Sequence, residues 1–97
     1  MSIYIALMNW TDQGVKNAKD SARRFYIAKQ AIEKTGAKIH AVYYTFGKYD
    51  IIGIIEDSSA ENMARNAIGL ASQGNLRIET LPAFTLDEAA KILESLP

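Results

Sequence analysis

The chain predicts an α+β fold: a ferredoxin-like, or split βαβ, arrangement βαββαβ with a four-stranded antiparallel sheet and a C-terminal helix. Three observations carry this. Strand-type residues lie on both sides of Gly47-Lys48, so two strands meet in a hairpin at mid-chain. Apolar residues recur at steps of three or four on either side of that hairpin, which is helical spacing. Two Ser/Thr-x-x-Glu patterns, at Ser58 with Glu61 and at Thr85 with Glu88, mark helix starts.

The elements follow in order. Ser2 to Asn9 is the first strand, since Ile3, Tyr4, Ile5, Leu7 and Met8 suit a pleated buried surface. Thr11 or Asp12 caps a helix that runs to about Thr35, with Val15, Ala18, Ala22, Phe25, Ala28 and Ile32 as its apolar stripe. Asp20-Ser21 is placed to bend it, because both side chains compete for backbone hydrogen bonds. Gly36 ends it.

Ala37 to Phe46 and Tyr49 to Glu56 are the second and third strands. The turn between them needs a positive φ, which Gly47 would supply. A second helix starts at Ser58, buries Ala60, Met63, Ala64, Ala67, Leu70 and Ala71, and stops at Gly74. Leu76 to Phe84 is the fourth strand, and Pro82 near its end suits an edge. The last helix, from Thr85, puts Leu86, Ala89, Ile92, Leu93 and Leu96 on one side.

In this topology strands one and three are central and strands two and four are edges. The central strand Ile51-Ile52-Gly53-Ile54-Ile55 is apolar on both faces, yet both main helices cover only one. The C-terminal helix is expected to cover part of the second face, and another subunit the rest. A homodimer or larger even-numbered oligomer is therefore expected.

Composition sets further bounds. Residues 1–97 make one domain, small for a self-sufficient monomer. Lys+Arg number 11 and Asp+Glu 11, so no strongly basic face speaks for nucleic acid. There is no cysteine and one histidine, which rules out zinc-thiolate sites, iron–sulfur clusters and thiol catalysis and leaves no set for a structural metal. No cofactor is expected, and no phosphate-binding glycine loop is present. No apolar run approaches the ~20 residues of a membrane span and no charged leader precedes one, so a soluble cytoplasmic protein is expected.

The candidate functional corner is Asn9-Trp10-Thr11 with Tyr49-Asp50. Central antiparallel strands bring the end of the first strand near the start of the third, though forty positions separate them in sequence. Asn9 could orient a ligand and Trp10 wall it; alternatively Thr11 caps the helix and Trp10 packs on its first turn. Apolar surroundings favour a carboxyl's neutral form, which would suit Asp50 to proton transfer with Tyr49. The structural alternative is that Asp50 bonds turn amides and Tyr49 packs across the hairpin. Tyr43 and Tyr44 point to opposite faces, and one could offer its hydroxyl to a pocket. His40, the lone histidine, is a weaker ligand candidate on an edge strand.

The ordered set Asn9-Trp10-Thr11 with Gln13-Gly14, Lys19-Asp20-Ser21, Gly47-Lys48-Tyr49-Asp50, Gly74-Asn75 and Glu79-Thr80-Leu81-Pro82-Ala83-Phe84-Thr85 resembles the GYD family, small bacterial and archaeal proteins without an assigned activity. The family often has proline after Lys-Asp-Ser, where this chain has Ala22. The resemblance implies membership of the dimeric α/β-barrel superfamily, whose ferredoxin-like subunits pack sheet against sheet. Such relatives include cofactor-independent monooxygenases, isomerases and ligand-sensing domains, so the fold does not choose a chemistry. No activated nucleophile or metal set stands out in the sequence. Binding or sensing of a small organic ligand is accordingly the first reading, and a cofactor-independent monooxygenase or isomerase acting on a hydrophobic small molecule is the second. An assembly subunit for a partner protein is the third.

Overall fold

The computed structural model describes residues 1–97 throughout. Its elements are β1 (Ser2–Trp10), α1 (Asp12–Lys16), a 3-10 turn (Ala18–Asp20), α2 (Ser21–Glu33), β2 (Lys38–Tyr44), β3 (Ile51–Asp57), α3 (Ala60–Ala71), β4 (Leu76–Ala83) and α4 (Leu86–Glu94). One four-stranded sheet has the order β2-β3-β1-β4. Every pairing is antiparallel, with β1 and β3 in the middle as the sequence predicts.

Alternation along the central strands decides which face is which. Ile51, Gly53, Ile55 and Asp57 of β3 are buried, while Ile52, Ile54 and Glu56 are half-buried. Ala6 and Met8 of β1 share the buried face. The core joins Ala6, Met8, Ala37, Ile51, Ile55, Met63 and Leu76, with Phe25 and Ile32 of α2 and Ala67 and Leu70 of α3 packed against it. Ile51 is fully buried, and removing such a side chain from water contributes about 1.5–3 kcal/mol.

The first helical segment does not run unbroken. Thr11 caps α1 by accepting from the Gly14 N–H, and α1 ends at Asn17, whose carbonyl is taken up by Arg24 and by the Asp20 N–H. Val15, expected on the apolar stripe, is instead 54% exposed. The break comes just before Ser21, which is buried and hydrogen-bonds the Tyr44 hydroxyl at 2.7 Å. The interruption therefore rotates α2 so that its own stripe meets the sheet.

The hairpin differs from the expected tight turn. The last strand pair is Tyr44 with Ile51, and segment 45–50 forms a wider loop. Gly47 has no positive φ; only Gly36 and Gly74 do. Thr45 explains the difference, since its hydroxyl donates to the Tyr49 carbonyl and its N–H to the Asp50 carbonyl at 2.8 Å.

The cap of α3 also moves by one residue. Ser59, not Ser58, accepts from the Asn62 N–H. Buried Asp57 sets this by accepting from the Ser59 N–H at 3.2 Å and from the Asn62 side chain at 2.9 Å. Ala60 and Ala64 are exposed, whereas Met63 is buried and Leu70 packs against the core.

The C-terminal helix does not fold back over the second face. No residue of α4 is buried, and Leu86, Leu93 and Leu96 are 85%, 62% and 64% exposed. Only Phe84 and Thr85 separate β4 from α4. The face carrying Ile3, Ile5, Leu7, Ile52 and Ile54 thus has no cover within the chain.

Candidate functional site

The predicted corner forms where β1 ends and β3 begins. The Trp10 N–H donates to Asp50 Oδ2 at 3.0 Å, and the Asp50 N–H donates to the Met8 carbonyl at 2.9 Å. Asp50 therefore binds β1 through side chain and backbone alike. A carboxylate accepting a backbone N–H makes one of the stronger protein hydrogen bonds. The Trp10 ring lies 6.3 Å from that of Tyr44, which meets Phe25 edge-on at 6.3 Å. Trp10 Nε1 is buried without a hydrogen-bond partner in the chain.

Thr11 adds a second tie. Its N–H donates to the Asn75 carbonyl at 3.0 Å, and its hydroxyl to the Gly74 carbonyl. Gln13 Nε2 reaches the Gln73 carbonyl at 3.1 Å and Asn75 Oδ1 at 3.0 Å. Gly14 packs so closely that a Cβ there would collide with the Asn75 carbonyl oxygen. The turn after α3, with Gly74 at φ +86°, is thereby fastened to the start of α1.

The other predicted residues go elsewhere. Asn9 pairs with Arg77 on the uncovered face, opposite in parity to Trp10, so it does not enter the space between sheet and helices. The Tyr49 hydroxyl donates to Glu79 Oε1 at 3.2 Å, and Lys48 Nζ lies 5.7 Å from the Tyr49 ring centre. Tyr43 pairs with Ile52 and is 59% exposed. His40 sits in a bulge between Ile39 and Ala41, its Nε2 2.7 Å from Glu56 Oε1, far along the strand from the corner. The structure thus unites Trp10, Thr11, Tyr44 and Asp50 and separates Asn9, Tyr43 and Tyr49 from them, while His40 shares only a cavity wall with Tyr44.

Ser21 and Glu79 are partners that the sequence-predicted candidates did not include. Both lie in the motif pieces that carry the family resemblance, which was the available signal. The hydrogen-bond network of Asp57, Asn62, Thr35 and Asn66 had no such signal, because Thr35 binds both asparagines across a long gap in sequence. A cavity of about 240 Å³ lies beside β2 and α2, and it takes His40 and Tyr44 of the predicted residues into its wall.

The architecture and its interlocked corner define a ferredoxin-like α+β domain in which scattered sequence motifs meet as a structural latch. A model of the GYD domain family matches residues 4–93, and the chain belongs to the GYD family. It is 31% identical over 85 residues to a Thermus thermophilus protein named "Glutamine synthetase and cystathionine beta-lyase binding protein", a match spanning 87% of this chain and 90% of that one. The crystal structure of TTHA0845, also from Thermus thermophilus, aligns with a TM-score of 0.56 at 22% identity, over 88% of this chain and 95% of the other. That likeness shows the fold. No helix is long and apolar enough to cross a membrane.

Proposed function

We propose that this chain is a homo-oligomeric protein-binding subunit that assembles with a partner enzyme, the third of the sequence readings, in preference to a small-ligand sensor or a cofactor-independent enzyme. The observation that carries the proposal is the uncovered apolar surface. Ile3, Ile5, Leu7, Ile52 and Ile54 lie on an open sheet face, and Leu86 and Leu93 of α4, with Leu96 just beyond it, are exposed to solvent. Contiguous apolar surface of this kind marks association sites. A second copy is the proposed cover for the sheet face, and a cytoplasmic location goes with this reading.

The relative's name supports a partner of protein nature, since that protein is named for binding two enzymes. The geometry of Asp50 also favours binding over catalysis, because its Oδ2 is engaged by the Trp10 amide. The test is titration of the purified chain with glutamine synthetase and, separately, cystathionine β-lyase from the same source, followed by calorimetry and light scattering. A saturable complex with either enzyme at micromolar concentration is expected. Binding to neither, in a chain that also stays monomeric, would overturn the proposal.

A further inference from the structure

The outer edge of β2 lies beside one face of α2, and the two line one cavity. β2 is an edge strand, paired only with β3. The Thr45 N–H donates inward, to the Asp50 carbonyl. In an antiparallel ladder successive residues turn their N–H and C=O groups to alternate sides. Tyr44 and Val42, opposite Ile51 and Gly53, therefore turn theirs outward, away from β3. Ile39 does the same beyond the bulge: its N–H donates to Glu33 Oε2 at 3.2 Å, at the end of α2.

Along this edge α2 presents Ala22, Phe25, Tyr26 and Lys29, one helical face, and with β2 they enclose the half-open cavity of about 240 Å³. Ala22 is small and exposed, which keeps the trough open. No carboxylate lies within salt-bridge distance of Lys29; the one close contact between a basic and an acidic side chain is His40 with Glu56. Glu33, a turn further on, is already engaged by Ile39.

We propose that this trough takes an extended segment of the partner protein, added to β2 as a further strand, with one apolar side chain in the cavity and an acidic side chain against Lys29. The inference rests on the protein-binding reading and fixes where the partner docks. Hydrogen bonds to Val42 and Tyr44 would supply affinity for any extended backbone, while the cavity and Lys29 would select the side chains. A bare strand edge is otherwise an aggregation hazard, so a dedicated occupant also accounts for its exposure.

The probe is a displayed library of random dodecapeptides, selected on the full-length chain. The enriched peptides are then titrated against wild type, Ala22→Trp, Val42→Pro and Lys29→Glu. Enriched sequences should combine an apolar residue with a nearby acidic one. Ala22→Trp fills the trough and Val42→Pro removes one outward N–H, so each should weaken binding by at least about tenfold. Lys29→Glu should reverse the preference from acidic to basic peptides. Thermal melts check folding, and Ala22→Trp, on an exposed helix face, keeps the test valid if proline is not tolerated.

Failure to enrich any peptide, or undiminished binding to Ala22→Trp, would overturn the inference. So would a change of solution mass in Ala22→Trp, which would assign this edge to contact between copies. The two proposals separate cleanly. Partner enzymes that bind wild type and Ala22→Trp equally would remove the trough and leave the protein-binding reading standing. Trough-dependent peptides in a chain that binds neither enzyme and stays monomeric would remove the protein-binding reading and leave the trough as a strand-docking edge.

Discussion

A Cβ on Gly14 would run into the Asn75 carbonyl, too close for any side chain, and the obstacle is backbone that cannot swing aside. Gly14→Ala should therefore cost about 1–3 kcal/mol or more, read by urea denaturation. Asp50→Ala should cost about 1–3 kcal/mol, because it strands the partly buried Trp10 N–H. A loss below a few tenths in either variant would show that the latch does not hold the fold. Much of this corner was legible beforehand. The antiparallel central strands alone place Trp10 near Asp50. What the sequence could not show was that Asn9, one residue earlier, faces the other side, where Arg77 sits opposite it. Strand parity depends on register, and register is set by partners distant in sequence.

At the scale of elements, caps were the most readable signal. Thr85 and Glu88 form the reciprocal box that the sequence predicts, with the Thr85 N–H on Glu88 Oε1 at 2.8 Å and the Glu88 N–H on Thr85 Oγ1 at 3.1 Å. The start of α3 lies one residue beyond the predicted cap because buried Asp57 captures the Ser59 N–H, a tertiary choice that local pattern does not reveal. The hairpin is wider than the predicted tight turn because Thr45, not Gly47, organises the loop. The box at α4 carries a pH prediction. The Thr85 backbone N–H, and after it the Thr85 hydroxyl, hold the Glu88 carboxyl below the ordinary carboxylate value. A depressed carboxyl stabilises the fold above its unfolded-state value and loses that contribution as pH falls through its folded value. The first turn of α4 should thus loosen only in acid, below the ordinary carboxylate range. An NMR titration of the Glu88 carboxyl should find its midpoint lowered, and Thr85→Ala should move it part of the way back. A midpoint at or above the ordinary value would contradict the box.

The whole molecule presents a sheet with one covered face. The sequence made this visible, because a central strand of consecutive isoleucines cannot be buried on both sides by two helices on one side. It did not reveal that α4 would stand away from the sheet, since an amphipathic stripe states that a face wants cover and not which surface supplies it. Extents of 50 × 31 × 18 Å fit a thin layered body with an extended end. Ile54 faces the open side and Ile55 the core. Ile54→Asp should accordingly dissociate the assembly while the subunit stays folded, whereas Ile55→Asp should unfold it. The most direct measurement is the solution mass by light scattering at micromolar concentration, for wild type and Ile54→Asp side by side. Wild type should run at an even multiple of the 10.7 kDa chain, and the variant as a folded monomer. A wild-type chain that runs as a stable monomer would show that the open sheet face needs no second copy, against the assembly proposed for it.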